Sequence, residues 1–374
     1  MPRSNLSKQH KSIDRNLLIL VIAFVFIGIL AVADASAPQA LNNFGDKFYF
    51  VKQQLVWAGI GLVVLFLASK IHYSFWEKIA TPLFFGVVLL LIAVLIPGIG
   101  AKLLGARRWI VLGWVNLQPS ELIKLALAIY LAKVAKNSKS TLSYFLPLAI
   151  VLGLVMLQPD LGTTIIIAVM GLIQIFVSDV NLLHLAGAIV VGTISTAGLI
   201  FLSPYRRARL DTYLEASSDP LGKSYHIRQV LMALGSGGIF GVGLGASRQK
   251  YLFLPESSTD SIFAVIAEEL GLLGAVLIIV LFAYFFLKGI AIARNSPDRF
   301  SKVLSVGITV WIAGQAFLNI AAMVALVPLT GIPLPFISYG GSSLVMILAA
   351  CGILLNVSKF ANISKHGHAD AKRN

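Results

Sequence analysis

Ten apolar runs set the limits on what this chain can fold into. They fall near 17–36, 53–71, 79–97, 119–136, 143–158, 161–178, 181–203, 261–287, 303–327 and 340–358, and most approach the ~20 residues a helix needs to cross ~30 Å of hydrocarbon. Hydrophobic residues make up 57% and charged residues 12% of 374 positions, a bias that no soluble core of this size requires. The expected fold class is therefore all-α: a polytopic integral membrane protein of about ten transmembrane helices with one large extracytoplasmic loop, 204–260. Residues 1–15 and 359–374 read as tails around a single membrane domain, 16–358. The runs at 143–158 and 161–178 are the shortest, and Gln158-Pro159-Asp160 between them marks a hairpin of short spans or a broken pair. Leu17 to Ala33, followed by ADASA, exceeds a usual signal-peptide core and is followed by further spans, so it is expected to be retained.

Orientation follows from lysine and arginine. With the N-terminus inside, seventeen of the thirty fall in inner segments: Arg3, Lys8, Lys11, Arg15, Lys70, Lys78, Lys133, Lys136, Lys139, Lys288, Arg294, Arg299, Lys302, Lys359, Lys365, Lys372 and Arg373. Twelve fall outside, and seven of those (Arg206, Arg207, Arg209, Lys223, Arg228, Arg248, Lys250) share the 204–260 loop. Both termini are expected to be cytoplasmic. The net charge of +14 is thus largely topology and attraction to anionic headgroups, which argues against a nucleic-acid partner. Cys351 stands alone, excluding a disulfide or thiolate metal site within the chain. The six histidines form no helical metal pair, and His366 and His368 belong to a polar tail expected to be disordered.

The outer loop has internal order. Ile227, Val230, Leu231 and Leu234 fall on one helical face, which predicts a short helix in the outer interface. GSGGIFGVGLGASRQK follows. Its glycines could turn backbone N–H groups toward an anion beside Arg248 and Lys250, or simply form a flexible loop across the headgroups. It lacks the Gly-Lys-Ser/Thr ending of a P-loop.

Acids within or at the ends of spans are Glu121, Asp160, Asp260, Glu268 and Glu269. Glu121 and Lys124 share a helix face; Glu121 also suits a helix start, which leaves Lys124 unexplained one turn deeper. Asp160 caps LGTTIII on one reading. LQPSE and LQPDL echo each other. Asp260 ends the polar LPESSTD and begins a long apolar run: a carboxylate at the edge of a span marks a functional site, and Ser-Ser-Thr-Asp equally makes an N-cap. Glu268 and Glu269 lie roughly 12 to 13 Å further along that helix and need partners elsewhere.

The blocks GARRWIVLGWVNLQPSELIKLALA, QPDLGTT, DPLGKSYHIRQVLMALGSGGIFGVGLGASRQK, LPESSTDSIFAVIAEELG and PLTGIPLPFISYGGSS resemble, in order and over about residues 15 to 360, the SEDS family of bacterial cell-wall synthesis (RodA, FtsW, SpoVE). FYFVKQQLVWAGIG and the Asp260 block are more FtsW-like than RodA-like; Ser261 departs from the TDF common there. The resemblance implies a peptidoglycan glycosyltransferase in the bacterial cytoplasmic membrane that polymerises lipid II and releases undecaprenyl diphosphate. Asp260 is then the general base for the acceptor 4-hydroxyl, and the basic, glycine-rich loop answers the charge of the leaving diphosphate. Glu121, Lys124 and Asp160 match positions lining the same outer cavity. Arg107, Arg108, Arg248, Lys250, Ser338, Gly340 and Gly341 are the further substrate-binding candidates. A divalent cation, magnesium or manganese, is implied as cofactor, and a class B penicillin-binding protein, a transpeptidase, as partner alongside membrane lipids. A lipid II flippase or a noncatalytic scaffold for the transpeptidase are the other classes. The concentration of polar motifs at the outer face favours the enzyme.

Overall fold

A computed structural model describes residues 12–103, 106–113, 115–137, 140–202, 225–251 and 253–370. Every apolar run is helical: α1 Arg15–Phe44, α2 Tyr49–Lys70, α3 Tyr73–Ala93, α4 Pro119–Asn137, α5 Leu142–Leu157, α6 Leu161–Val177, α7 Leu182–Leu202, α9 Ile262–Arg294, α10 Arg299–Met323 and α11 Gly341–Asp370. The short α8, Tyr225–Gly237, lies in the outer loop. Six of these helices are long and apolar enough to span a membrane on length and composition alone. The chain is a multi-pass membrane protein. α5 and α6 are separate helices joined at Gln158, Pro159 and Asp160, so the break is a hairpin. Arg206, Arg207, Arg209 and Lys223 lie outside the described residues.

Burial separates centre from rim. Nearly all of α10 is buried and α4 is buried on most faces, whereas large apolar side chains of α1, α2, α3 and α9 stand exposed in the pattern of lipid-facing helices. α10 packs against α4, α6, α9 and α11, and α11 against α2. Phe24 of α1 stacks on Phe282 of α9 and on Phe336, with ring centroids 4.4 and 5.2 Å apart, binding α1, α9 and the α10–α11 connection into one core.

Each end of the bundle is tied by polar contacts. At the end carrying the chain termini, the Asp14 N–H donates to Ser358 Oγ (3.0 Å), Tyr73 N–H to Asn356 Oδ1 (2.9 Å) and Tyr73 OH to Asp298 Oδ2 (2.7 Å). The first and last membrane helices therefore begin and end on the same face. α11 runs on to Asp370, so the expected disordered tail is helical through that point.

Two features were not expected. Between α3 and α4 lies a three-stranded antiparallel sheet, β1 Gly100–Leu103, β2 Ala106–Leu112 and β3 Val115–Leu117, in the order β1-β2-β3. Leu112 pairs with Val115 across a two-residue turn, and Gly113 takes the positive φ of 63° that such a turn needs. The second feature is a break in α9 at Gly271 (φ 68°, ψ −165°). A helix break strands backbone groups that no water reaches within a membrane. The glycine-rich segment supplies the partners: Val242 N–H donates to Glu268 O (3.0 Å), Gly243 N–H to Glu269 O (3.1 Å), and Leu272 N–H to Gly238 O (2.9 Å). A Cβ on Gly271 would lie 2.3 Å from Gly241 N, and one on Gly241 2.0 Å from Glu269 O, so only glycine permits this approach.

Candidate active site

Four connections converge at the opposite end from the termini: the sheet, the α5–α6 turn, the 238–261 segment and the 324–340 segment. Arg108 of β2 donates to Gln158 O (2.9 Å) and Pro159 O (2.5 Å), clamping the α5–α6 turn onto the sheet. Ser342 Oγ donates to Asn116 O (2.6 Å), fastening the start of α11 to β3. Phe336, with φ of 65°, is held in a backbone region an aromatic residue rarely adopts. Its carbonyl oxygen would lie 2.3 Å from a Cβ on Gly28, so the 324–340 segment is wedged against α1.

Asp260 sits where that segment meets the start of α9. The N-cap of α9 is Ser261, with no side-chain capping bond. The first helical residue is Ile262, so Ser261 rather than Asp260 occupies the N-cap position of α9. The main chain of residues 258–260 is fixed at three points. Asn319 Nδ2 of α10 donates to Asp260 O (2.8 Å), Ser338 Oγ to Thr259 O (2.6 Å), and Tyr339 N–H to Ser258 O (2.9 Å). The half-buried carboxylate stands beside Gly331, where a Cβ would be 3.4 Å from Asp260 Oδ2. On the other flank, His226 Nε2 of α8 lies 2.8 Å from Ser261 Oγ.

Asp160 accepts Thr163 N–H at Oδ1 (3.0 Å), so it caps α6 and is buried. A Cβ on Gly162 would lie 2.4 Å from Ile332 Cγ1, which places the start of α6 against the loop that carries Gly331. Glu121 and Lys124 lie behind the site rather than on its surface. Lys124 is 1% exposed, donating to Glu121 Oε1 (2.7 Å) and Gln315 Oε1 (2.8 Å), with Trp311 5.1 Å below. Gln315 Nε2 in turn donates to Pro333 O (3.0 Å), and Asn319 Nδ2 reaches Ile332 O (2.7 Å) as well as Asp260 O. The buried ion pair thus supports the Ile332-Pro333 backbone beside Asp260 through α10.

The glycine-rich segment is neither a free loop nor an open anion nest. Its N–H groups meet Glu268 and Glu269: Gly245 N–H donates to Glu269 Oε2 (3.0 Å), Ser247 N–H to Glu269 Oε1 (3.1 Å), Arg248 N–H to Glu268 Oε1 (3.2 Å), and Ser247 Oγ to Glu268 Oε2. Lys250, expected to be free for substrate, is 4% exposed and bridges Asp34 (2.7 Å) and Glu269 (2.8 Å). Burial draws its ammonium pKa down, but the bonds from Asp34 and Glu269 outweigh this and hold it above the ordinary lysine value. Arg248 is exposed and Arg107 partly buried; neither guanidinium has a protein partner among the described residues. These two remain available to a diphosphate.

Ser338 works through the main chain: its Oγ also accepts Leu334 N–H (2.8 Å). Gly341 is a packing glycine, because a Cβ there would fall 2.4 Å from Trp57 Cε2; Gly340 merely adjoins it. In α8 the buried face is Ile227, Val230 and Ala233, and Leu231 points outward at 45% exposure instead of inward. Sequence reasoning passed over Asp34, an acid inside the first apolar run, and over Gln315 and Asn319. The last two are four apart on one face of an apolar helix, a spacing that a search of uncharged polar residues would have found.

No group of three or more His, Cys, Asp or Glu side chains that could hold a metal occurs among the described residues. A divalent ion held by the described residues would need further oxygen ligands, such as phosphate or water.

The family model for the cell cycle proteins FtsW, RodA and SpoVE matches residues 14–363. Stage V sporulation protein E of Bacillus subtilis is 42% identical over 356 residues, covering 93% of this chain and 97% of that protein. A probable peptidoglycan glycosyltransferase FtsW of Trichlorobacter lovleyi is 40% identical over 367 residues, covering 96% of each. Among solved structures, a chain of a peptidoglycan synthase complex that coordinates polymerization and crosslinking superposes with TM-score 0.76 at 30% identity, over 92% of this chain and 97% of that one. RodA of Thermus thermophilus gives TM-score 0.69 at 29% identity, over 92% of this chain and 96% of that one.

Proposed function

The chain belongs to the FtsW/RodA/SpoVE family, and from that premise we infer that it is a peptidoglycan glycosyltransferase in which Asp260 is the general base. The substrate is lipid II, polymerised at the outer face of the bacterial cytoplasmic membrane. The acceptor sugar's 4-hydroxyl attacks the donor's anomeric carbon as Asp260 takes its proton; the C–O bond to the leaving group breaks and undecaprenyl diphosphate departs. The observation that carries the base assignment is that Asp260 stands at the head of α9 beside Gly331, with its own carbonyl pinned by Asn319 and its neighbours by Ser338 and Tyr339. A carboxylate on so fixed a main chain is preorganised for proton transfer. Arg107 and Arg248 carry the cationic charge for the diphosphate, because Arg108 and Lys250 are engaged in the fold. The divalent cation implied by the family would draw most of its ligands from phosphate and water rather than from side chains, and no step here runs through it.

The one-sided arrangement of the polar network supports the enzyme over a flippase. A transporter needs gates on both faces around a site near the bilayer midplane, whereas here the end opposite Asp260 is tied by Tyr73, Asp298, Asn356 and Ser358. A class B penicillin-binding protein is the proposed partner, in keeping with the synthase complex among the structural relatives. Polymerisation of labelled lipid II by the purified protein, with and without that transpeptidase, tests the function. Glycan product is expected with the partner present; lipid II moved across vesicles without any product would favour transport.

Both termini are placed in the cytoplasm on the lysine and arginine count. Cysteine introduced at exposed Ala246 is expected to react with an impermeant thiol reagent on intact cells, and cysteine at exposed Pro297 only after lysis. Native Cys351 is buried and gives no background. The reverse pattern would remove both the orientation and the outer-face assignment.

A further inference from the structure

At the end of the bundle away from Asp260, α6, α7, α9 and α10 surround a groove of about 800 Å3. Its walls are apolar, with Phe176 of α6, Phe286 and Ile290 of α9, and Val306 and Val310 of α10. Its rim is basic, because Arg294 at the end of α9 and Lys302 in the first turn of α10 both line it. Both are exposed, and neither has a protein partner among the described residues. Asp179 also lines the rim, but its carboxylate is 85% exposed and turns to Arg299 at 3.5 Å. α7 touches the groove only through its first residue, Leu182, and no described side chain of that helix is buried, so the groove borders the bilayer rather than the packed core.

We propose that this groove is a binding site for one anionic phospholipid of the inner leaflet, its phosphate between Arg294 and Lys302 and an acyl chain along the apolar walls. Helix electrostatics explain only half of the rim. Arg294 suits the C-terminus of α9, but Lys302 lies in the first turn of α10, where a cation opposes the helix dipole. That terminus is already served by Asp298, whose Oδ1 accepts Ser301 N–H (2.9 Å) within a capping box. Lysine and arginine enrichment on the inner side explains why both residues are there, but not why they converge on one apolar groove. Apolar walls alone would accept any lipid tail; two unpaired cations above them select a headgroup with net negative charge. The proposal rests on the orientation given above and is independent of the catalytic assignment.

The test uses the purified full chain in non-ionic detergent, with phosphatidylglycerol or phosphatidylcholine added as probe and retained lipid counted by native mass spectrometry. Phosphatidylglycerol should be retained in preference to phosphatidylcholine. In Arg294→Gln/Lys302→Gln, retention of phosphatidylglycerol should fall roughly thirty-fold, on the effect of two cations near a charged headgroup, with phosphatidylcholine unchanged. Ile290→Trp, which fills the groove and keeps both charges, should lose both lipids. Lipid II polymerisation serves as the check that each variant is folded, since none of these residues is near Asp260. Equal retention of the two lipids by the parent, or preference surviving in the double variant, would overturn the site. So would phosphatidylglycerol held by Ile290→Trp, which would mean attraction to a basic surface without a groove.

Discussion

Asp260→Asn is expected to fold, to bind its transpeptidase partner and to polymerise lipid II 10² to 10⁴ times more slowly, the usual cost of removing a general base. Asparagine has nearly the shape of aspartate but offers an amide with no proton-accepting charge at neutral pH. The main chain around this residue is held independently of the side chain's charge: Asn319 Nδ2 donates to its carbonyl, and Ser338 and Tyr339 hold Thr259 and Ser258. Asparagine is as good an N-cap as aspartate and keeps the side chain's size and accepting oxygen, so any capping contact at the head of α9 survives and thermal unfolding should be unchanged. Rate is the readout, with lipid II binding and thermal midpoint measured alongside. A variant that polymerises within a few-fold of the parent would remove Asp260 as base. One that loses rate and stability together would return it to a structural role.

How far the sequence carried this reading depends on the range over which each signal acts. The ten apolar helices were legible because hydrocarbon thickness imposes a length that most of the runs approach by themselves, and six reach it outright. Asp260 was legible as a position because a charge at a span edge is conspicuous, but whether it capped the helix depended on a helix start one residue later, finer than periodicity resolves. The β-sheet was missed because strands of three to seven residues between two apolar helices are shorter than any reliable pattern; only the Gly113 turn and the Ile110, Val111 and Val115 cluster pointed to it. The glycine-rich segment was misread for a different reason. Its glycines answer a break in α9 and two glutamates some twenty to thirty residues downstream, and no local property of GSGGIFGVGLGASRQK announces that. Lys250 shows the same limit, since one of its partners, Asp34, is 216 residues away.

Lys250 and Arg248, two residues apart, are therefore expected to respond in opposite ways to the same substitution. Lys250→Ala leaves Glu269, 4% exposed, and Asp34 without their shared cation. Removing one partner of a buried ion pair typically costs about 3–5 kcal/mol, since the other charge stays buried and uncompensated. Glu269 also holds the N–H groups of Gly245 and Ser247, so its displacement would release the segment that caps the break at Gly271. Low yield and a lowered thermal midpoint are expected, with activity per folded molecule a secondary matter. Arg248→Ala removes an exposed guanidinium while its backbone N–H still donates to Glu268. Stability should stay within about 0.5 kcal/mol of the parent, and the loss should appear as weaker use of lipid II, relieved by higher substrate concentration. Lys250→Met restores the apolar bulk of the stem without the charge and should not rescue folding, which separates a lost ion pair from a lost volume. If Lys250→Ala unfolds at the parent's temperature, the triad contributes no stability and Lys250 returns to the substrate-binding candidates. If Arg248→Ala leaves substrate use untouched, the outer cation for the diphosphate is to be sought at Arg107.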